Sequence, residues 1–128
     1  LLDSASLAGQ VLVAGGFLSS ALATAEIFNP ISNTFRSAGS LHFARLVHTG
    51  TLLNDGMVLI AGGENKQTGT ALAPAELFDP NTARFAITGN MNFPRVFHTA
   101  TRLPSGLVLM AGGTNNVRLV SNAELFVP

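Results

Sequence analysis

The stretch that decides the fold is V-L-I-A-G-G at residues 58–63, followed by A-E-L-F-D-P at residues 75–80. The same pair of motifs, V-L-x-A-G-G and A-E-x-F-x-P, occurs at residues 11–16 with 25–30 and at residues 108–113 with 123–128. Residues 25–63 align with residues 75–113 without a gap, and 18 of the 39 paired positions are identical. Self-similarity at a period of about 50 residues is typical of a repeat architecture, in which one supersecondary unit is built several times.

The central unit predicts four antiparallel strands. Residues 48–53 form a Thr-rich run that ends at the turn sequence N-D-G, residues 54–56, and residues 57–61 form a continuous apolar run. An Asx-Gly turn between two such runs predicts a hairpin, because glycine reaches the positive φ that tight turns require. Residues 75–78 and 85–88 supply a third and a fourth strand. Four strands at this period are typical of a propeller blade, and a β-sandwich with accidental symmetry is the less favoured alternative.

The motifs resemble those of the kelch family, and in particular its bacterial branch related to the propeller of galactose oxidase. The resemblance rests on the double glycine after the second strand, on R-x-x-H-T at residues 45–49 and 95–99, and on A-E-L-[FY]-D-P. It covers nearly the whole chain and implies an all-β propeller. Kelch units usually carry Tyr in the third strand and Trp in the fourth, whereas this chain has neither residue and places Phe at both positions.

The repeat predicts a β-propeller portion of about three kelch-type blades of four antiparallel strands, with units at residues 1–41, 42–91 and 92–128. The first and last blades are expected to be incomplete, since Leu1-Leu2 fits only the end of a first strand and the third unit stops before a fourth. Propellers close with about four blades or more. We therefore expect further blades from a second copy of the chain or, as the slightly favoured alternative, from a longer chain of which this is a processed or excised piece.

Two residue types give this strand assignment a direct test. Threonine is expected on the innermost strands, at Thr49, Thr51, Thr99 and Thr101. Phe35 and Phe85 are expected on the outermost strands. The phenylalanines at repeat-equivalent positions are predicted to pack between blades, where burial of each contributes roughly 2–3 kcal/mol.

The composition argues against several classes of function. The chain has 7 Lys and Arg against 7 Asp and Glu, and it lacks the basic stripe that nucleic-acid binding requires. No apolar run approaches the roughly 20 residues of a membrane-spanning helix. Cysteine is absent, which leaves no disulfide and no thiolate chemistry. Low Lys content with many Thr, Asn and Ser residues favours a secreted or periplasmic location.

The histidines are candidate metal ligands. His48 and His98 are repeat-equivalent, so they are expected at one height in neighbouring blades, where a ring of histidines would bind a cation. The favoured alternative is that each one orders the entry of its inner strand by hydrogen bonding to backbone. His42 cannot complete a symmetric site, because Asn92 stands at its repeat position, and three-ligand zinc motifs show tighter spacing. We therefore predict no metal site.

Charged residues also recur. Glu26, Glu76 and Glu124 are repeat-equivalent, and Arg45 and Arg95 follow the first two by 19 residues. In a chain with only 11% charged residues this pattern favours partly buried ion pairs that join strands or blades, because a buried charge is tolerated only when it is paired. The alternative is a catalytic Glu with an Arg that holds a substrate carboxylate. Repetition argues against it, because an active site needs one arrangement rather than a copy in each blade.

Catalytic motifs are absent. The resemblance to galactose oxidase implies a copper-radical chemistry that needs a Tyr cross-linked to a Cys, and the chain contains neither residue. The sialidase box S-x-D-x-G-x-x-W is missing, as are G-x-S-x-G, H-E-x-x-H and phosphate-loop motifs. The sequence therefore predicts no catalytic residue and no cofactor, and it leaves enzymatic activity open but disfavoured.

The connections between second and third strands, at residues 17–24, 64–74 and 114–122, differ in length and composition. Binding usually resides where a rigid scaffold carries variable loops. Residues predicted to bind a ligand lie in these loops and in the connections from fourth to first strands: His42, Glu64, Asn65, Lys66, Gln67, Asn92, Asn115, Asn116 and Arg118.

These observations favour a non-catalytic scaffold that binds a protein or carbohydrate ligand through loops on one face. The first alternative is part of a carbohydrate-active enzyme, such as a hydrolase, an epimerase or an oxidase-like enzyme, whose catalytic residues lie outside this chain. The second alternative is a structural module of an extracellular assembly.

Overall fold

The computed structural model describes residue 2 and residues 8–128, and this part of the chain is all-β. The first sheet contains β1 (Val11–Ala14), β2 (Thr24–Asn29) and β3 (Thr34–Ser40), in that order. The second has the order β4 (Thr49–Leu52), β5 (Val58–Ala61), β8 (Pro74–Asp79) and β9 (Arg84–Asn90). The third contains β10 (Thr99–Arg102), β11 (Val108–Ala111) and β12 (Ala123–Phe126). A two-stranded hairpin of β6 (Glu64–Asn65) and β7 (Thr70–Ala71) lies between β5 and β8.

All neighbouring strands within these sheets are antiparallel, and the central sheet is a complete four-stranded blade. Among the described residues, the first sheet has no counterpart of β4 and the third has no counterpart of β9. The prediction of an all-β propeller portion with incomplete first and last blades is therefore confirmed. The boundaries of the three units stay a prediction. Over the described residues, no helix has the length and apolar character that a membrane span requires.

Leu2 occupies the place in the first blade that Leu53 holds in the central one. Leu53 N donates to Met57 O (2.8 Å), and Leu2 N likewise donates to Gln10 O (2.8 Å). Leu2 is 2% exposed, as expected for the end of a first strand. Leu1, the other residue assigned to that strand end, lies outside the described residues.

Threonine and phenylalanine lie at opposite edges of the sheets, as predicted. Thr49 and Thr51 belong to β4 at one edge of the central sheet, and Phe85 belongs to β9 at the other. Thr99 and Thr101 belong to β10, which contacts β4 of the central sheet. The threonine strands therefore form the inner edges of the blades.

The hydrophobic core fills the two junctions between the sheets. Val58 and Ile60 of β5 pack with the cluster at the first sheet, whereas Leu59 and Ala61 pack with the cluster at the third. Successive side chains of a strand point to opposite faces, so β5 serves both junctions. This explains its continuous apolar sequence, which is typical of a strand that is buried on both faces.

The Phe pair of the central blade is buried between blades, whereas the pair of the first blade is only partly buried. Phe78 and Phe85 have ring centroids 4.9 Å apart and pack in the junction with the first sheet. Phe28 and Phe35 form the same pair at 4.8 Å, but Phe35 is 60% exposed. Among the described residues, no second sheet packs on Phe35 as the first sheet packs on Phe85. The prediction of burial between blades is thus right for Phe85 and wrong for Phe35.

The double glycine brings the backbones of neighbouring blades into contact. Gly62 and Gly63 both have positive φ, at 66° and 87°. Gly63 N donates to Arg95 O of the next blade (2.9 Å), and a Cβ at Gly62 would lie 2.6 Å from the same carbonyl and overlap the His98 ring. The first blade repeats the arrangement with Gly15, where a Cβ would lie 2.6 Å from Arg45 O. Only glycine permits both the backbone conformation and this approach.

Gly62→Ala is expected to destabilise the chain more than Gly112→Ala. Both glycines have positive φ, so alanine at either site carries a backbone cost of about 1–2 kcal/mol. At Gly62 the new methyl group also overlaps the next blade, which adds about 1–3 kcal/mol, whereas a Cβ at Gly112 meets nothing within 4 Å. Urea unfolding of both variants measures the difference. Equal losses of unfolding free energy would show that the contact between blades contributes nothing.

Candidate functional site

All long connections emerge at one end of the sheets, because antiparallel strands reverse direction at each step. We call this end the loop face; it comprises residues 15–23, 41–48, 62–73, 91–98 and 112–122. Backbone hydrogen bonds join neighbouring connections there. Leu46 and Glu64 exchange two bonds of 3.1 and 3.0 Å, and Val96 and Thr114 exchange two of 2.8 and 3.0 Å. The connection that enters each inner strand therefore supports the long loop of the same blade.

Side-chain contacts link the long loops of the three blades. The Lys66 ammonium lies 4.4 Å from the centroid of the Phe17 ring, a cation–π contact between the first and second blades. Asn116 of the third blade donates to the Glu64 carboxylate (2.6 Å) and to Gly69 O (3.2 Å) of the second. The three loops therefore form one continuous surface rather than three separate ones.

The sequence analysis missed the β6–β7 hairpin within the loop of the central blade. Asn65 Oδ1 accepts from Gln67 N (3.1 Å), and Asn65 O accepts from Thr68 N and Gly69 N. Gly69 has a φ of 64°, which closes the turn. The signal for it was a single Thr-Gly step in a polar segment, which is weaker than the Asn-Asp-Gly turn of the blade itself.

The loop of the third blade is a tight turn that presents apolar side chains to solvent. Asn115 Oδ1 accepts from the backbone N–H groups of Val117 (3.1 Å) and Arg118 (3.0 Å), and Thr114 Oγ1 donates to Arg118 O (2.8 Å). Val117 is 90% exposed and Leu119 is 85% exposed. Ordered turns that hold apolar groups in water are typical of binding surfaces.

A cleft of about 390 Å³ lies beside this turn. Its walls include Asn115 and Arg118, both predicted ligand-binding residues, together with Phe93 and Pro94 of the connection that enters β10. It combines an apolar wall with amide and guanidinium donors. The cleft therefore offers one apolar wall and several hydrogen-bond donors to a ligand.

His42 and Asn92, also predicted to bind a ligand, make hydrogen bonds within their own blades. His42 donates its backbone N–H to Glu76 Oε2 (2.8 Å), and its Nδ1 lies 3.0 Å from the same oxygen. Asn92 contacts Glu124 Oε2 in the same way, through N (2.6 Å) and Nδ2 (3.1 Å). Both side chains retain solvent exposure at the loop face, and a ligand-binding role for them stays a prediction.

The structure confirms buried ion pairs for two of the three repeated glutamates, Glu76 and Glu124. Arg45 and Glu76 are both fully buried, with 2.9 Å between guanidinium and carboxylate. The guanidinium also donates to Gly62 O (2.8 Å) and Pro74 O (3.1 Å). Arg95 and Glu124 pair identically at 2.9 Å. Each pair thus joins the entry connection of a blade to its third strand.

The ion pair keeps Glu76 ionised in spite of its burial. Burial alone raises the pKa of Glu76, but the hydrogen bonds from His42, Phe43 and Arg45 outweigh it and hold that pKa below its usual range. Glu26 has the same position in the first blade, yet its side chain is exposed and forms no ion pair with any described residue. The repeat alone did not reveal this difference.

The two repeated histidines lie at the junctions between blades. His98 Nε2 is 2.9 Å from Thr49 Oγ1 of the preceding blade, a side chain rather than the backbone that we expected, whereas His48 has a backbone hydrogen bond at Ala14. Nδ1 of His48 and of His98 is buried without a hydrogen-bond partner among the described residues. No group of three or more His, Cys, Asp and Glu side chains in this part of the chain is placed to hold a metal ion.

Both histidines are neutral at physiological pH. Burial, followed by the nearby Arg95 charge, lowers the pKa of His98 to about 4. Burial and then the Arg45 charge lower the pKa of His48 to about 4 as well. Neutral rings suit a packed junction, because protonation would place an unpaired cation beside a buried arginine.

Glu76→Gln is expected to reduce the free energy of unfolding by about 3 kcal/mol, because it leaves the buried Arg45 charge without a counter-charge. Glu26→Gln is the matched control, since it changes the equivalent exposed residue, and its effect should stay within about 0.5 kcal/mol. Urea unfolding at pH 7 measures both. Similar effects of the two substitutions would contradict the structural role of the buried pair.

Stability is expected to fall as the pH drops from about 6.5 towards 4. The unfolded chain takes up a proton at each of these histidines with a pKa near 6.5, whereas folded His98 resists protonation until about 4. Between pH 7 and pH 5, His98 alone should cost about 2 kcal/mol of stability. Urea unfolding at both pH values, repeated with His98→Gln, measures this. An equally steep pH dependence in the variant would exclude His98 as the cause.

The comparisons with known proteins agree with this architecture. The family model of the kelch motif matches residues 3–42, which span the first blade. No curated protein matches the chain. The motifs of that segment recur in the second and third blades, whose sheets repeat the strand order of the first. Membership of the bacterial branch stays a prediction. The first 42 residues thus carry a kelch motif, and the antiparallel sheets of the described residues are consistent with part of a kelch-type β-propeller.

Proposed function

We propose that this kelch-type propeller portion is a non-catalytic scaffold that binds a protein partner through its loop face. The observation that carries the proposal is the linkage of the three long loops, through Lys66 with Phe17 and Asn116 with Glu64, into one surface. A surface held together by such contacts presents its side chains in a fixed arrangement, which lowers the entropic cost of binding.

The composition of the loop face supports a protein ligand. Leu18 is 79% exposed and Phe97 is 71% exposed, and both lie at the same end of the sheets as Val117 and Leu119. Exposed apolar side chains rimmed by polar groups are typical of protein interaction sites. The polar groups here include Lys66 and Arg118, which suit a partner with acidic groups around an apolar centre.

A carbohydrate ligand is the second candidate, and the cleft beside the turn of the third blade favours it. Phe93 is 40% exposed at this cleft, and Asn115, Arg118 and Asn122 also line it. An aromatic ring beside amide and guanidinium donors provides one apolar face and several hydrogen bonds for a sugar.

The chemistry of the buried carboxylates supports a scaffold rather than an enzyme. Glu76 and Glu124 have lowered pKa values because hydrogen bonds hold both of them ionised, in spite of the opposing effect of burial. A general acid needs a pKa near the working pH, which calls for the opposite shift. A role within a carbohydrate-active enzyme would therefore depend on residues outside this chain.

The remaining alternative is a structural module in an extracellular assembly. Such a module would use the same surfaces without a small ligand.

We also propose that further blades, from a second copy or from a longer chain, cover the open faces of this arc. Gly112 supports this, because its equivalents at Gly15 and Gly62 each touch the arginine carbonyl of the next blade. Phe35 supports it at the other end of the arc, since its counterpart Phe85 is buried against a sheet.

Substitution of the exposed apolar residues of the loop face should abolish partner binding. The test variant carries Leu18→Ser, Val117→Ser and Leu119→Ser, and the control carries Ile31→Ser, which is 94% exposed in a turn at the opposite end. Affinity capture with quantitative mass spectrometry identifies proteins that bind the wild type, and their dissociation constants are then measured with purified components. The loop variant should bind at least about tenfold more weakly, because central apolar contacts carry most interface energy. Equal loss in the Ile31→Ser control would place the binding surface elsewhere.

A further inference from the structure

The polar side chains of the cleft on the third blade act mainly as hydrogen-bond donors. This cleft lies between the connection that enters β10 and the long loop that precedes β12, and its walls come from residues 93–94 and 115–122. Its volume of about 390 Å³ falls within the range of about 300–1,000 Å³ that is typical of small-ligand sites. The chemistry of its walls therefore indicates what kind of ligand it takes.

Arg118 supplies the positive charge of the cleft. Its guanidinium forms no ion pair with any described residue, and no described acidic side chain lines the cleft. Its backbone is fixed, because its N–H donates to Asn115 Oδ1 (3.0 Å) and its carbonyl accepts from Thr114 Oγ1 (2.8 Å). A guanidinium on a fixed backbone and without a counter-charge is suited to bind a carboxylate through two parallel hydrogen bonds.

Two asparagine side chains add donors at the same cleft. Asn115 Oδ1 accepts from two backbone N–H groups, those of Val117 and Arg118, and Asn122 Oδ1 accepts from the Ser121 hydroxyl (3.3 Å). Since both side-chain oxygens are engaged, the amide NH₂ groups are the parts that can bind a ligand. A cleft with these donors fits a ligand that is rich in acceptor oxygens.

Phe93 forms the apolar wall of the cleft, and its backbone is anchored on both sides. Its N–H donates to Glu124 Oε1 (3.0 Å) and its carbonyl accepts from Arg95 Nε (3.2 Å), so the wall is attached to the buried ion pair. The Phe93 ring is 40% exposed, and Pro94 continues the wall. A rigid aromatic surface of this kind packs against the apolar C–H face of a sugar ring at a low entropic cost.

The polar groups of the cleft do not recur in the central blade. Ala73 and Pro74 stand there in the places of Ser121 and Asn122, and the central loop, residues 64–74, contains no arginine. Groups that a repeat unit needs for its own fold recur with the unit, as the buried ion pairs do. The donors of this cleft are therefore not required by the blade.

The contacts between neighbouring blades use other groups than the side chains of the cleft. Arg45 of the second blade binds the first blade through Gly16 N (2.8 Å) and Leu22 O (3.0 Å). The equivalent backbone groups of the third blade are those of Gly113 and Val120. The same contact at the third blade thus leaves the donors and the aromatic ring of the cleft available, whether or not another blade packs there.

We propose that this cleft binds a uronate, a pyranose sugar that carries a carboxylate. The carboxylate pairs with Arg118, the C–H face of the ring packs on Phe93, and the amide groups of Asn115 and Asn122 donate to the oxygens of the sugar. The proposal rests on the carbohydrate candidate of the proposed function and names its ligand class. A neutral sugar would leave the Arg118 guanidinium without a counter-charge, which is why the acidic sugar is favoured.

The probe is methyl β-D-glucopyranosiduronate, and methyl β-D-glucopyranoside is its neutral control, which differs only in a hydroxymethyl group in place of the carboxylate. Each is titrated into the ¹⁵N-labelled chain, and binding is followed through the backbone amide resonances. We expect saturable changes at residues 114–122 with a dissociation constant below about 10 mM for the uronate. The neutral glycoside should bind at least about tenfold more weakly, because it lacks the charge-assisted hydrogen bonds.

Arg118→Gln should abolish the preference for the uronate over the glucoside. Its backbone hydrogen bonds do not depend on the side chain, so the turn is retained. Arg84→Gln is the matched control, since it removes an exposed arginine of β9 outside the cleft, and it should leave the preference unchanged. Phe93→Leu keeps an apolar side chain but removes the aromatic ring, and it should weaken both glycosides by a similar factor.

Four results would overturn the proposal: no saturable change up to about 50 mM uronate, equal affinities for the two glycosides, equal effects of Arg118→Gln and Arg84→Gln, or equally tight binding of N-acetyl aspartate α-methylamide. The last would show that the cleft recognises a carboxylate without a sugar. Equal affinities at residues 114–122 would retain the carbohydrate candidate, whereas no binding of either glycoside would remove that candidate as well. The protein-partner proposal has its own test and is not affected by any of these results.

Discussion

The close approach of the double glycine to the next blade is the contact on which the rest of the structure depends. Gly63 donates to the Arg95 carbonyl, and Gly62 lies so near that carbonyl that no side chain fits between them. The contact sets the spacing between blades at their loop end, and the apolar clusters pack within the space that it leaves. Its requirement for two successive positive φ angles explains why the motif carries two glycines and no other pair.

Arginine couples this contact to the interior of its own blade. The Arg95 carbonyl accepts from the preceding blade, while its guanidinium donates to Gly112 O, to Asn122 O and to Glu124 of its own blade. One residue therefore links the spacing between blades to the spacing of strands within a blade. Lysine cannot replace it, since a single ammonium group lacks the planar set of donors that these acceptors require.

The sequence predicts the structural features that depend on a single repeat unit. Patterns within about 50 residues predict the strands of the central blade and the pairing of Arg45 with a repeated glutamate. They also predict that threonine lies on the inner strands and phenylalanine on the outer strands. What depends on a neighbouring blade was missed. Three features could be predicted only by knowing which face of one blade meets the next. They are the exposure of Phe35, the contact of His98 with Thr49 and the role of Gly62 at the junction. No periodicity within a unit encodes that relation.

Repetition also separates residues that stabilise each blade from residues that join the loops, and Glu26 is an exception to this rule. Residues that recur with the same partners, such as Glu76 and Glu124, serve the blade. Residues that do not recur, such as Lys66 and Asn116, join the loops into a surface. Glu26 recurs without these partners among the described residues, so the repetition of a residue type does not by itself show that its contacts are repeated.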